Sequence, residues 1–190
     1  MSGVPAAALA ARANADLLVS AFAVEKAIDR VAVKLKVALH AANPILVCVM
    51  NGGLPYMAAL LKRLEMPLEL TYVHAGRYGN SLRGGKLEFH AKPRVALSGR
   101  HVVFVDDVLD RGHTLAALCD WATEEGATTV TTTVLVDKQI TATRPIAADF
   151  VALECPDRYL FGCGMDYQGY WRNLPEIYAI SATLETGAAD

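Results

Sequence analysis

Four consecutive apolar residues, Val102-Val103-Phe104-Val105, run directly into two adjacent carboxylates, Asp106 and Asp107. An apolar run without alternation suits a strand covered on both faces, and such strands belong to parallel sheets with helices on either side. A second run, Ile45 to Met50, has the same character and ends in Asn51-Gly52-Gly53. Between and around these runs the periodicity turns helical. Val24, Ile28, Val31, Leu35 and Leu39 recur on one face of a helix from about Ser20 to Ala42, which Asn43-Pro44 stops. Further helices are expected at about Leu54 to Leu64 and His113 to Glu125, the latter closed by Gly126. Strands are expected at Leu68 to His74, His101 to Val105, Thr129 to Val136 and Phe150 to Leu153. Strands alternating with helices define an α/β fold, here a twisted, mainly parallel sheet flanked by helices. One domain over 1–190 is expected, with its core at about 40–155. Segments at about 16–40 and 156–185 would pack together as a small hood over the ligand edge of the sheet.

Composition narrows the setting. An apolar share of 53% supports a packed core rather than disorder. Nothing in the net charge of −2 suggests a nucleic-acid coat or a membrane-surface protein, so neither nucleic acid nor membrane is an expected partner. Ser2 to Ala15 lacks the charged start and apolar run of a signal peptide and reads as a poorly ordered arm. Cys48, Cys119, Cys155 and Cys163 form no Cys-x-x-Cys pair, and the apolar settings of Cys48 and Cys119 suit buried free thiols in a reducing cytoplasm. The histidines show no zinc spacing.

The stretch from Ala75 to Gly99 stands apart. It is rich in glycine, and as far as Lys86 it carries Arg77, Arg83 and Lys86 with no acid. A loop of this length in a compact domain is a lid or binding loop, or forms in part a hairpin.

The chemistry concentrates at the end of the first apolar run. Asp106-Asp107 is followed by Asp110-Arg111-Gly112-His113-Thr114, a short turn entering a helix. Such a turn aims backbone N–H groups and the positive end of the helix dipole at an anion, and the Thr114 hydroxyl can add a bond. A phosphate therefore fits at Asp110 to Thr114, and the acid pair is placed for ribose hydroxyls or a magnesium ion. Three carboxylates repel a bare polyphosphate, which favours a sugar phosphate carrying Mg²⁺. Neither a P-loop nor Gly-x-Gly-x-x-Gly is present.

This segment resembles the phosphoribosyl-pyrophosphate signature of the type I phosphoribosyltransferases. From about Ser20 to Ser181 the chain is similar to the hypoxanthine-guanine phosphoribosyltransferases, through Met50 to Gly53, Arg77-Tyr78-Gly79, the signature, Asp137-Lys138, and Pro156 to Tyr159 with Gly162 to Asp166. The resemblance implies transfer of a phosphoribosyl group to a 6-oxopurine, with Mg²⁺ as cofactor. Asp106 and Asp107 would hold the ribose hydroxyls and the metal, Asp110 to Thr114 the 5′-phosphate, and Asp110 would be the base at purine N7. Asn51, Gly52, Arg77 and Arg172 would face pyrophosphate, beside a strained Met50-Asn51 peptide that Gly53 follows. Tyr78, Arg83 and Lys86 would belong to the lid. Lys138 would donate to the 6-oxo group, Tyr159 would stack on the base, the Leu160 carbonyl would read its N1/N2 edge, and Asp166 would hold a magnesium. Many relatives have lysine where Asn51 stands, and Arg111 and His113 replace smaller or differently charged residues. The implied assembly is a cytoplasmic homodimer or homotetramer. A xanthine-preferring transferase and a nucleotide-sensing regulator of the same fold stand as alternatives.

Overall fold

The computed structural model describes residues 3–77 and 87–181. Its main sheet has the order β4-β3-β2-β5-β6-β7. β2 (Ile45–Val49), β3 (Glu69–Arg77), β5 (His101–Leu109), β6 (Thr129–Gln139) and β7 (Phe150–Pro156) are parallel, and β4 (Leu87–Ala91) pairs antiparallel with β3 at one edge. Both apolar runs are central strands. All five residues of β2 are buried, because α2 (Ala21–Leu39) and α3 (Leu54–Leu61) cover one face of the sheet and α4 (His113–Glu124) the other. Val24, Ile28, Val31, Leu35 and Leu39 form the buried stripe of α2, whose first turn is capped by the Ser20 hydroxyl.

A second sheet of β1 (Asp16–Val19), β9 (Ile177–Ala179) and β8 (Leu160–Phe161) is antiparallel, with β9 in the middle. It joins segments from the two ends of the chain beside the carboxyl ends of β5 and β6.

Two expectations are corrected, and the hairpin alternative is met. Asp106 and Asp107 do not lie beyond β5 but within it, since pairing continues through Asp106↔Val134 to Leu109↔Asp137. Backbone bonding ignores the change from apolar to charged side chains at Asp106, so the pattern understates the strand. β6 likewise runs on through Lys138 to Gln139, and β7 to Pro156. The stretch after Ala75 begins as a hairpin: Arg77 ends β3 opposite Leu87 of β4. Tyr78, Arg83 and Lys86 lie outside the described residues.

The second correction is the arm. Ala6–Ala13 forms α1, with Ala8 and Ala11 buried. Alanine favours a helix intrinsically, and its small side chain lets the helix lie close on a neighbour. That neighbour is remote in sequence: the Trp171 indole donates to the Ala8 carbonyl at 2.6 Å, and Arg12 donates to the Tyr178 hydroxyl at 2.7 Å.

All four cysteines are free thiols, and burial pushes Cys48, Cys119 and Cys163 up to about 12. Among the described residues no helix is long and apolar enough to cross a membrane.

Candidate active site

The turn between β5 and α4 surrounds a hollow of ≈ 430 Å³ bounded by the chain from Asp106 to Leu115. Gly112 enters the helix with φ 75, and a Cβ there would sit 3.2 Å from Ile146 Cγ2. No side chain caps the first turn of α4, and no acid lies in it. Its N–H groups and dipole are therefore available to an anion. Thr114 is half-buried beside the hollow, whereas Arg111 and His113 are exposed at its rim.

The acid pair is more enclosed. Asp107 is 8% exposed and accepts from the Val108 N–H at 2.8 Å, while Asp106 accepts from the Asp107 N–H at 2.9 Å. Burial pushes the Asp106 carboxyl well above the ordinary carboxylate range, and the adjacent Asp107 charge pushes it further. Burial raises Asp107 too, against the opposing pull of Asp106 and the Arg172 guanidinium. Two glycines make room for Asp107. A Cβ on Gly52 would lie 2.1 Å from Asp107 Oδ2, and one on Gly164, at φ +106, would lie 2.0 Å from the Gly52 carbonyl oxygen. Asn51 is exposed at the mouth of this turn, and its peptide bond to Met50 is cis.

Arg172 gathers this region. It donates to the Gly164 carbonyl at 2.6 Å, pairs with Asp166 at 2.5 Å and lies 3.9 Å from Asp107. Asp166, expected as a metal ligand, is thus engaged by Arg172, and it also accepts from the Gly169 N–H at 2.6 Å.

Beside the acid pair lies a smaller cleft of ≈ 180 Å³, lined by Asp107, Asp110, Lys138, Tyr159, Leu160 and Asp166 among others. Asp110 follows β5 and Lys138 lies near the end of the neighbouring β6, and the Lys138 ammonium donates to Asp110 at 3.2 Å. Lys138 is only 12% exposed. Tyr159 is 47% exposed, and its ring meets that of Tyr167 edge-on at 5.7 Å.

Two residues of this site were missed in the sequence. Asp157 lies 3.1 Å from the Lys138 ammonium. Arg144 donates to the Asp137 carboxylate and to the carbonyls of Lys138 and Leu109, the last at 3.1 Å. It clips together the strand ends that carry Asp110 and Lys138. No local pattern marks Arg144, whereas Asp157, between Pro156 and Arg158, sat inside a motif already noted for its neighbours.

Magnesium fits the donor set in a particular way. Among the described residues no three His, Cys, Asp or Glu side chains form a ready-made metal cage. Mg²⁺ does not require one: it prefers hard oxygens and is commonly held by one or two carboxylates together with waters and substrate phosphates. The crowded, partly uncompensated pair Asp106-Asp107 is such a donor set. Its electrostatic cost gives a prediction. Asp106 keeps its proton to higher pH folded than unfolded, so stability falls as pH rises from the ordinary value of 3.8 through the raised folded value. Asp106→Asn should therefore raise the melting temperature at pH 7, by about 2–4 °C per kcal/mol recovered in a domain of this size. Thermal melts across pH check it; a lower melting temperature at neutral pH contradicts the assignment.

The sheet is mainly parallel, with a glycine-bearing turn, an acid pair and a cleft at adjoining strand ends, and the phosphoribosyl transferase domain model matches residues 15–168. A hypoxanthine-guanine phosphoribosyltransferase of Streptococcus thermophilus (strain CNRZ 1066) is 33% identical over 136 residues, 71% of this chain and 76% of that protein. One from Bacillus subtilis (strain 168) is 30% identical over 162 residues, covering 85% and 90%. The chain belongs to the hypoxanthine-guanine phosphoribosyltransferase family. Among solved structures, a hypoxanthine phosphoribosyltransferase from Staphylococcus aureus superposes with a TM-score of 0.84 at 19% identity, covering 91% of this chain and 95% of that one. One from Trypanosoma cruzi gives 0.84 at 23% identity, covering 91% and 99%. These likenesses establish the shared fold.

Proposed function

We propose that the chain transfers the 5-phosphoribosyl group of phosphoribosyl pyrophosphate to hypoxanthine or guanine, yielding IMP or GMP and pyrophosphate. The observation that carries this is the Lys138–Asp110 pair inside a base-sized cleft next to the phosphate turn. A 5′-phosphate at Asp110 to Thr114 places the ribose over Asp106 and Asp107 and its anomeric carbon toward the cleft. Purine N9 bonds to that carbon as the bond to pyrophosphate breaks with its electron pair. The proton of the purine passes to Asp110 at N7, so that the base does not accumulate positive charge. Lys138 donates to the 6-oxo group, Tyr159 stacks on the ring, and the Leu160 carbonyl accepts from its N1/N2 edge. Asn51, Gly52, Arg77 and Arg172 face the leaving pyrophosphate, and Arg111 and His113 flank the 5′-phosphate. Magnesium, held by Asp106 and Asp107 with Asp166 nearby, would neutralise charge on the pyrophosphate. The small sheet serves as a hood over the base, and Tyr78, Arg83 and Lys86 belong to a lid that keeps water from the reacting centre.

The buried free thiols support work in a reducing cytoplasm. The exposed Leu54, Leu70 and Tyr72 around an apolar hollow of ≈ 330 Å³ support a homodimer or homotetramer. The decisive experiment is pyrophosphate release from phosphoribosyl pyrophosphate with each purine in turn. Release with hypoxanthine and guanine but not adenine is expected. Release with xanthine alone, or with no purine, would overturn the reading.

A further inference from the structure

We propose that Asp157 is a positioning residue that fixes the Lys138 ammonium for recognition of the 6-oxo group and leaves Asp110 free to act as a base. The proposal rests on the reading of Lys138 and Asp110 given above. An ammonium has three N–H donors and no acceptor. One donates to Asp110 at 3.2 Å, and Asp157 Oδ1 forms an ion pair with the same nitrogen at 3.1 Å. Lys138 is 12% exposed, whereas Asp110 and Asp157 are about half exposed. The cation is therefore the enclosed member, and two carboxylates from different segments hold it, one after β5 and one after β7.

With a hydrogen bond to Asp110 on one side and the charge of Asp157 on the other, the ammonium keeps N–H donors for an acceptor in the cleft, and the pull of two carboxylates from different segments restricts where it sits. With Asp110 alone, the ammonium would turn toward that single partner. The cost would fall on both tasks. The donor would be withdrawn from the 6-oxo position, and the lone pairs of Asp110 needed at N7 would be occupied by a cation that no second carboxylate shares. When Asp110 receives the purine proton and becomes neutral, Asp157 is also the charge that remains opposite Lys138. The enclosed cation is then not left unpaired at that moment.

The test is Asp157→Asn, with Asp157→Glu as the conservative counterpart. For Asp157→Asn, the KM for the 6-oxopurine should rise about tenfold, the scale of one misdirected charge-assisted hydrogen bond from Lys138 to the base, while the KM for phosphoribosyl pyrophosphate stays within about twofold. Preference for inosine over adenosine monophosphate, read by equilibrium binding, should fall by a similar factor, and Asp157→Glu should restore part of both. A merely structural carboxylate would lower the melting temperature or affect both substrates alike, and either result would overturn the proposal. Unchanged purine KM and nucleotide preference would overturn it as well. Wild-type protein that binds inosine and adenosine monophosphates equally would instead sink the Lys138 reading beneath it, so the two failures are distinguishable.

Discussion

Replacing Asp110 with asparagine is expected to lower kcat by about 10²–10⁴-fold while leaving the fold intact. The substitution keeps shape and one acceptor oxygen but removes the basic site. Asp110 follows β5 in a half-exposed position, and its partner in the structure is Lys138 rather than the core. Nothing in the packing depends on its charge, so the melting temperature should move little. KM for phosphoribosyl pyrophosphate should also move little, because in the proposed binding mode the phosphate meets backbone N–H groups that the side chain does not supply. Single-turnover kinetics with hypoxanthine isolate the chemical step from product release. Turnover near that of the wild type would remove Asp110 as the base.

Replacing Lys138 with glutamine should cost selectivity more than rate. The Lys138 ammonium, 12% exposed, offers only donors, so in the proposed binding mode a 6-amino group would meet donor with donor, and sites built on one such contact reject the wrong analogue by about 10⁴-fold or more. An amide can present its oxygen as readily as its nitrogen. Discrimination between hypoxanthine and adenine should therefore collapse to within about tenfold. The variant should still fold, because the carboxylates it leaves without a cation, Asp110 and Asp157, are each about half exposed to water. Competition between the two bases in one reaction measures the ratio directly, and a preserved preference would place the selectivity elsewhere.

Local chemistry made much of this legible. Asp106, Asp107 and Asp110 to Thr114 lie on one continuous segment, so their order along the chain is also their order in space. The helices and central strands were equally visible, since a stripe at helical spacing or an unbroken apolar run needs no distant partner to be read. Where the reading fell short, the cause was distance or overlap of signals. α1 is ordered by Trp171 and Tyr178, more than 150 positions away, and an alanine tract carries no mark of such partners. β5 outran its apolar run because hydrogen-bonded pairing with β6 continues under charged side chains. Arg144 escaped notice because its acceptors are mostly backbone carbonyls, which every sequence contains. The engagement of Asp166 by Arg172 was likewise invisible, since each residue alone invites a ligand.

The middle position of β9 bears on where this protein can be cut. The segment shared with the wider family ends at residue 168, before Arg172 and before β9. β1 and β8 each pair with β9 and not with one another. A shortened chain ending at 168 would keep every strand of the large sheet, yet its two outer ribbons would have nothing between them and Asp107 would face no guanidinium. The smallest autonomous unit is therefore larger than the segment by which its kinship is recognised, and tags or fusions are better joined outside 5–181 than at the borders of that shared segment.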